Sequence, residues 1–177
     1  MTTFLRRLLA ALALDSRLYE EVEADRGATL QAAVVVVLAA AAAGIGEAGI
    51  GDGAPRVMAV VAMVSLLAWA AWALVIYALG TGVLPERNTA ADPGQLLRTL
   101  GFAAAPGLFR AFEVFGQTRW FVLPLTSIWM VLAMVVAIRQ ALDYTSTARA
   151  VALSLLGGVL VVGAAIVVGV FLARPVS

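Results

Sequence analysis

The residues of this chain that come nearest to a catalytic pattern lie between Ala43 and Gly53, in AGIGEAGIGDG. Gly44, Gly46 and Gly49 have the spacing of a dinucleotide-binding G-x-G-x-x-G, and Gly49-Ile50-Gly51-Asp52 spells the G-x-G-D of an intramembrane aspartyl protease. A dinucleotide fingerprint needs a strand before the glycines, a helix after them and an acidic residue about 20 positions on. Here the glycines follow an uncharged run and precede Asp52-Gly53-Ala54-Pro55, a turn sequence. A protease needs a second carboxylate near enough to share a proton with Asp52. The only late candidate, Asp143, falls at the opposite end of a membrane-length run. The stretch is therefore expected to be a helix exit followed by a glycine-rich outer turn.

Other chemistry is equally short of parts. All twelve basic residues are arginine, and His, Lys and Cys are absent. Ser65, Ser127 and Ser154 have no imidazole or amine to act as base, and Cys/His metal sites are excluded. The expectation is a protein that is no enzyme, with no catalytic, cofactor-binding or metal residues. Charged residues cluster toward the ends of the apolar runs, whereas pores and transporters usually carry ionisable groups near mid-bilayer.

The elements around these residues are set by hydropathy. The chain is 63% apolar and 13% charged, with a mean hydropathy of +0.99, against about 45 to 50% and about 25% for soluble domains. A net charge of +1 without clustered basic and aromatic residues excludes nucleic acid as a partner. Four uncharged runs reach the roughly 20 residues that cross a bilayer, while a fifth segment, 96–115, has an uncharged core only from Thr99 to Phe109. A core that short suits a re-entrant segment, or Arg98 and Arg110 can snorkel to opposite interfaces and let the segment span. The expected fold is all-α: a polytopic membrane bundle of five transmembrane helices at about 28–46, 57–80, 96–115, 120–141 and 150–173, preceded by an amphipathic, acidic cytoplasmic segment, 1–27. Counting arginines puts the N-terminus inside. With five spans, Arg6, Arg7, Arg17, Arg26, Arg87, Arg98, Arg139 and Arg149 face Arg56, Arg110, Arg119 and Arg174 across the membrane, and Ser177 lies outside.

In the first segment, Phe4, Leu5, Leu8, Leu9 and Leu12 recur at helical spacing beside Arg6 and Arg7, which suits an interfacial helix. A cleaved signal peptide is the rival, but its apolar run sits at the bottom of the usual length range. In the helix that follows, Tyr19, Glu20, Glu21 and Glu23 are expected to face a partner, while Glu20, Glu21, Glu23 and Asp25 form an acidic face that is either solvated or docked onto arginines at the inner ends of the spans. In GFAAAPG, the pairs Gly101/Ala105 and Ala103/Gly107 have the small-x-x-x-small spacing of close helix packing, and Pro106 should bend or break the span. Trp69 and Trp72 lie mid-span and should pack on other helices. Arg98, Arg139 and Asp143 share a depth in this arrangement, so Asp143 is expected to pair with both arginines in a cytoplasmic charge cluster; the alternative is that each arginine holds a lipid phosphate.

Three ordered blocks, DSRLYEEVEADRGATLQA, LLRTLGFAAAPGLFR and IWMVLAMVVAIRQALDYTSTARA, together resemble the bacterial branch of the Yip family, the Ypt/Rab-interacting membrane proteins. Gly101-Phe102 followed by Pro106 is similar to the family's Gly-aromatic-x-Pro element. The resemblance implies five spans, a cytoplasmic N-terminus and a non-enzymatic scaffold that organises membrane or recruits partners. Eukaryotic members bind lipidated Rab-type GTPases, but their Asp-Leu-x-Gly-Pro element is absent here. An accessory subunit of a larger complex and a small oligomeric transporter or channel are the alternatives. Heavy Ala, Gly, Val and Arg use without Lys suits a bacterial plasma membrane. Expected partners are the lipid bilayer, an unidentified membrane or cytoplasmic protein, and further copies of the chain as a homo-oligomer.

Overall fold

Two short helices precede the first long apolar run: α1 (Thr3–Leu12) and α2 (Ser16–Ala24). Between them Leu14 takes the left-handed conformation, φ 57°. The amide of Asp15 donates to the Ala10 carbonyl and that of Leu14 to Ala11, the paired bonds that close a helix in a Schellman turn. Asp15 then caps α2 by accepting from the Arg17 amide.

The long elements follow as α3 (Ala28–Ala48), α4 (Ala54–Gly82), α5 (Pro93–Ala103), a 3-10 helix (Ala105–Phe115), α6 (Arg119–Ala141) and α7 (Thr147–Leu172). The computed structural model describes residues 2–48, 54–87 and 89–172, so the expected glycine-rich turn at 49–53 and Ser177 lie outside the described residues. The described residues are almost all helical, with no strand among them. Three helical stretches, Ala28–Gly46, Met58–Gly82 and Arg119–Ala141, are long and apolar enough to cross a membrane. Only 11% of the α4 stretch is buried, so most of its surface faces outward.

The segment expected to form one span at 96–115 is divided. Asp92 accepts from the Gln95 amide while the Gln95 side chain returns to the Asp92 amide, a capping box with Pro93 in the first turn. This starts α5 three residues ahead of the expected boundary. Pro106 cannot donate to the carbonyl four residues back, and the α-helix stops at Ala103. The chain continues as a 3-10 helix of 11 residues, far beyond the three or four residues usual for that geometry.

The divided segment packs along α3. Gly101 lies on Ala32, Gly107 on Ala39, and Gly46 on Arg110 and Glu113. The divided segment therefore runs parallel to α3 over much of its length. Small residues on α3 recur every seven positions, about 10.5 Å at 1.5 Å per residue. Six residues from Gly101 to Gly107, half α and half 3-10, also rise about 10.5 Å. The longer rise of the 3-10 half keeps the two rows of small residues in step.

Candidate functional site at the broken helix and its cap

α1 and α2 close one end of the bundle as a cap held by ion pairs. Arg7, 4% exposed, donates from Nε to Glu21 at 2.9 Å, from Nη2 to Asp25 at 2.8 Å and from Nη1 to Gln31 of α3 at 3.0 Å. Arg6 adds a pair to Glu21 at 2.6 Å. The Arg6 and Arg7 guanidinium groups hold the Glu21 carboxyl below its ordinary range. Arg7 and the Gly27 amide do the same for Asp25. At the end of α1 the Leu12 carbonyl accepts the indole N–H of Trp129 of α6, 3.0 Å.

The expected acidic face is thus divided among contacts within the chain. Tyr19 is a correction to the partner-facing set: with Leu18 and Val22 it is buried on the side of α2 that meets α5 and α6. Its hydroxyl has no hydrogen-bond partner, and burial raises its pKa. Glu20 accepts from Gln140 at 2.8 Å and Glu23 from Gln95 at 3.0 Å. Glu23 has its carboxyl pushed up to about 7, first by burial and then by the negative charge of Asp143, with Arg98 opposing.

The expected cluster of Arg98, Arg139 and Asp143 does not form as pairs. Arg98, 6% exposed, caps the end of α2 instead, donating from Nε to the Val22 carbonyl at 2.9 Å and from Nη2 to the Glu23 carbonyl at 2.5 Å. These are orphan carbonyls of a helix C-terminus, where a cation is favoured. Arg139 donates from Nε to the Tyr144 carbonyl, 3.3 Å. Asp143 stands at φ 52°, past the end of α6, with the Tyr144 amide bonded to the Arg139 carbonyl and its own amide to Gln140. It is the left-handed residue of a Schellman turn, so it does not follow Arg139 by one helical turn.

Gly101, Phe102, Ala105, Pro106 and Gly107 are all buried at the break. A Cβ on Gly107 would stand 3.1 Å from Ala39 and 3.3 Å from the Met130 sulfur. Because a 3-10 helix has three residues per turn, positions three apart align. Gly107, Arg110 and Glu113 form the line facing α3, while Phe109, Phe112 and Phe115 form an exposed aromatic line. Phe109 stacks on Trp129 at 5.4 Å and on Phe112 at 6.3 Å. Arg110 and Glu113 pair along their line at 2.9 Å. Trp69 and Trp72 pack inward as expected: the Trp69 indole donates to the Leu97 carbonyl at 3.1 Å, and Trp72 lies over Gly157 and Gly158.

Sequence reasoning missed Glu86. Its carboxylate accepts from the Thr145 hydroxyl at 2.6 Å, the Thr145 amide at 2.9 Å and the Ser146 amide at 3.3 Å. Those hydrogen bonds hold its pKa low. Arg149 approaches at 3.7 Å. Glu86 thereby caps α7 from another loop, and Tyr144 reinforces the join by donating to the Gly80 and Leu84 carbonyls. Only the acidic residue opposite a Thr-Ser-Thr helix start hinted at this.

No protein-family model, curated protein or solved structure matches this chain.

Proposed function

We propose that this chain is a non-enzymatic, Yip-like integral membrane protein that organises membrane or recruits a partner through its N-terminal cap. In this reading it has five spans, with the N-terminus in the cytoplasm of a bacterial cell and the C-terminus outside. The observation that carries it is the cap itself: α1 and α2 are bound to the bundle by Arg7 through Gln31, by Arg98 and by Trp129, so they form a preorganised platform rather than a tail. Arg17, Glu20 and Ala24 remain exposed on α2, with Leu5 and Leu9 exposed on α1. Those side chains replace Tyr19, Glu21 and Glu23 as the surface offered to a partner.

The divided segment supports a fifth span because its 3-10 half adds length. Eleven α and eleven 3-10 residues rise about 38 Å if aligned, against about 30 Å of hydrocarbon. The chain has no cysteine, which makes topology directly testable. Single cysteines at Ser16 and Gln117 should react with impermeant reagent from opposite sides of native membranes. Reaction from the same side overturns the five-span arrangement. For the role, a pull-down from native membranes should capture a stoichiometric protein that is lost with charge reversal at Arg17 and Glu20. Capture unaffected by those changes, or solute flux by the purified protein in liposomes, overturns the scaffold reading.

A further inference from the structure

A cavity of about 210 Å³ lies where α5 gives way to the 3-10 helix. Its walls are mostly aliphatic, from Val36, Ala39 and Ala40 of α3 and Met130 of α6, and two polar side chains share the lining, Ser65 of α4 and Arg110 of the 3-10 helix. Broken helices in membrane proteins are where binding sites are commonly built, because irregular backbone is tolerated around a cavity.

Ser65 differs from the other serine and threonine hydroxyls in the interior of the long apolar helices. Thr81, Thr126, Ser127 and Ser154 each donate to the carbonyl four residues back, at 2.7 to 2.9 Å, the ordinary solution in apolar surroundings. Ser65 makes no such bond and has no other partner among the described residues. Arg110 is likewise only partly engaged. Its Nε is held by Glu113, whose side chain has no exposed surface, and neither terminal nitrogen has a hydrogen-bond partner among the described residues.

The Arg110–Glu113 pair is neutral as a unit, so a ligand that brings no net charge avoids the cost of burying one. The guanidinium offers donors to an acceptor, and the Ser65 hydroxyl can accept a hydrogen bond or donate one. The aliphatic walls suit an apolar body. We infer that this cavity binds a small neutral amphiphile carrying a carbonyl beside an N–H or O–H donor, a primary amide or an undissociated carboxylic acid. The carbonyl accepts from Arg110 and the donor bonds the Ser65 oxygen. The space exceeds the roughly 150 Å³ that suffices for benzene, so an aromatic amide fits. This site is independent of the scaffold reading, since neither residue belongs to the cap.

Fluorobenzamide titrated into the purified full-length protein in detergent, followed by fluorine NMR, tests this. Saturable binding is expected. Ser65→Ala should weaken it about three- to tenfold, the worth of one hydrogen bond, and Ala40→Phe should abolish it by filling the space. Fluorobenzoate, charged at neutral pH, should bind at least about tenfold more weakly, because its charge meets a pair already neutral. Ser65→Ala removes only an unpartnered hydroxyl and decides the matter even if Ala40→Phe disturbs folding. No saturable binding, equal affinity in Ser65→Ala, or tighter binding of the benzoate overturns the inference.

Discussion

Gly101 sits so close to Ala32 that a Cβ on the glycine would stand 2.6 Å from the Ala32 Cβ and 3.1 Å from both the Ala32 Cα and carbonyl oxygen. Two helix backbones meet there with no room for a side chain. Gly101→Ala should cost about 1 to 3 kcal/mol through overpacking. Gly44→Ala, where nothing lies within 4 Å, should gain about 0.5 to 1 kcal/mol from lower backbone entropy in the unfolded chain. Ala32→Gly in the Gly101→Ala background should recover part of the loss. Thermal unfolding in detergent measures all three, and equal shifts for Gly101→Ala and Gly44→Ala would count against the contact.

Glu23 should make stability fall as pH rises. Its folded pKa of about 7 lies above the ordinary 4.5, so the folded chain binds the proton more tightly than the unfolded one. Stability is full below about pH 4.5 and declines as the pH passes 7. The side chain is partly exposed, and solvent screening limits the change to about 1 kcal/mol. Glu23→Gln should flatten the slope. Asp143→Asn should move the Glu23 titration to lower pH, because Asp143 is the like charge that raises it most. A slope unchanged in Glu23→Gln would mean that the titrating group lies elsewhere.

Glu86 should act with the opposite sign. Its carboxyl is held below the ordinary 4.5 by the Thr145 hydroxyl and the amides of Thr145 and Ser146. Its contribution is present above the ordinary value and is lost as pH falls through the lowered one. Glu86→Gln should weaken the cap of α7, and hydrogen exchange at the Thr145 and Ser146 amides should accelerate. Unchanged protection at those amides would show that α7 does not depend on this carboxylate.

Arg98 and Asp143 should behave as independent sites. Arg98→Met removes two charge-assisted bonds to α2 carbonyls and should cost at least about 2 kcal/mol. Asp143→Gly should be neutral or stabilising, because glycine adopts the left-handed turn at lower cost. Both act on the Glu23 charge, so in a Glu23→Gln background, where that shared partner is neutral, the double mutant should show simple additivity. Coupling above about 0.5 kcal/mol between them would show a contact that these hydrogen bonds do not contain.

Arg7→Ala should detach the cap. The arginine ties α1 to Glu21, Asp25 and Gln31, and limited proteolysis should release residues before α3 far faster than in Arg6→Ala, whose side chain is 52% exposed. Equal cleavage of the two variants would show that Trp129 and the apolar contacts suffice.

The long helices α3, α4 and α6 were legible because hydropathy over about 20 residues is a strong signal. The start of α5 was legible in Asp92-Pro93-Gly94-Gln95, but charge and hydropathy drew the boundary instead, placing it at 96. The destination of Arg98 could not be read, since the carbonyls of Val22 and Glu23 carry no residue identity. Asp143 misled for a related reason: the left-handed position of a Schellman turn usually announces itself with glycine, and here aspartate fills it. Pro106 signalled a break correctly. The 3-10 continuation did not show, because phenylalanines at 109, 112 and 115 suit one face of an α-helix for a turn as well as the straight row of a 3-10 helix.

That row makes the segment sensitive to chain length in steps of three. One residue added after Gly107 rotates everything beyond it by about 120°. Phe109 would then turn toward the place held by Arg110, and Glu113 would leave the niche beside Gly46 for the lipid. Three residues added together restore every face and only push the far end outward by one turn, about 6 Å. Variation of this segment among natural relatives should therefore be quantised, with whole-turn insertions tolerated and single ones eliminated.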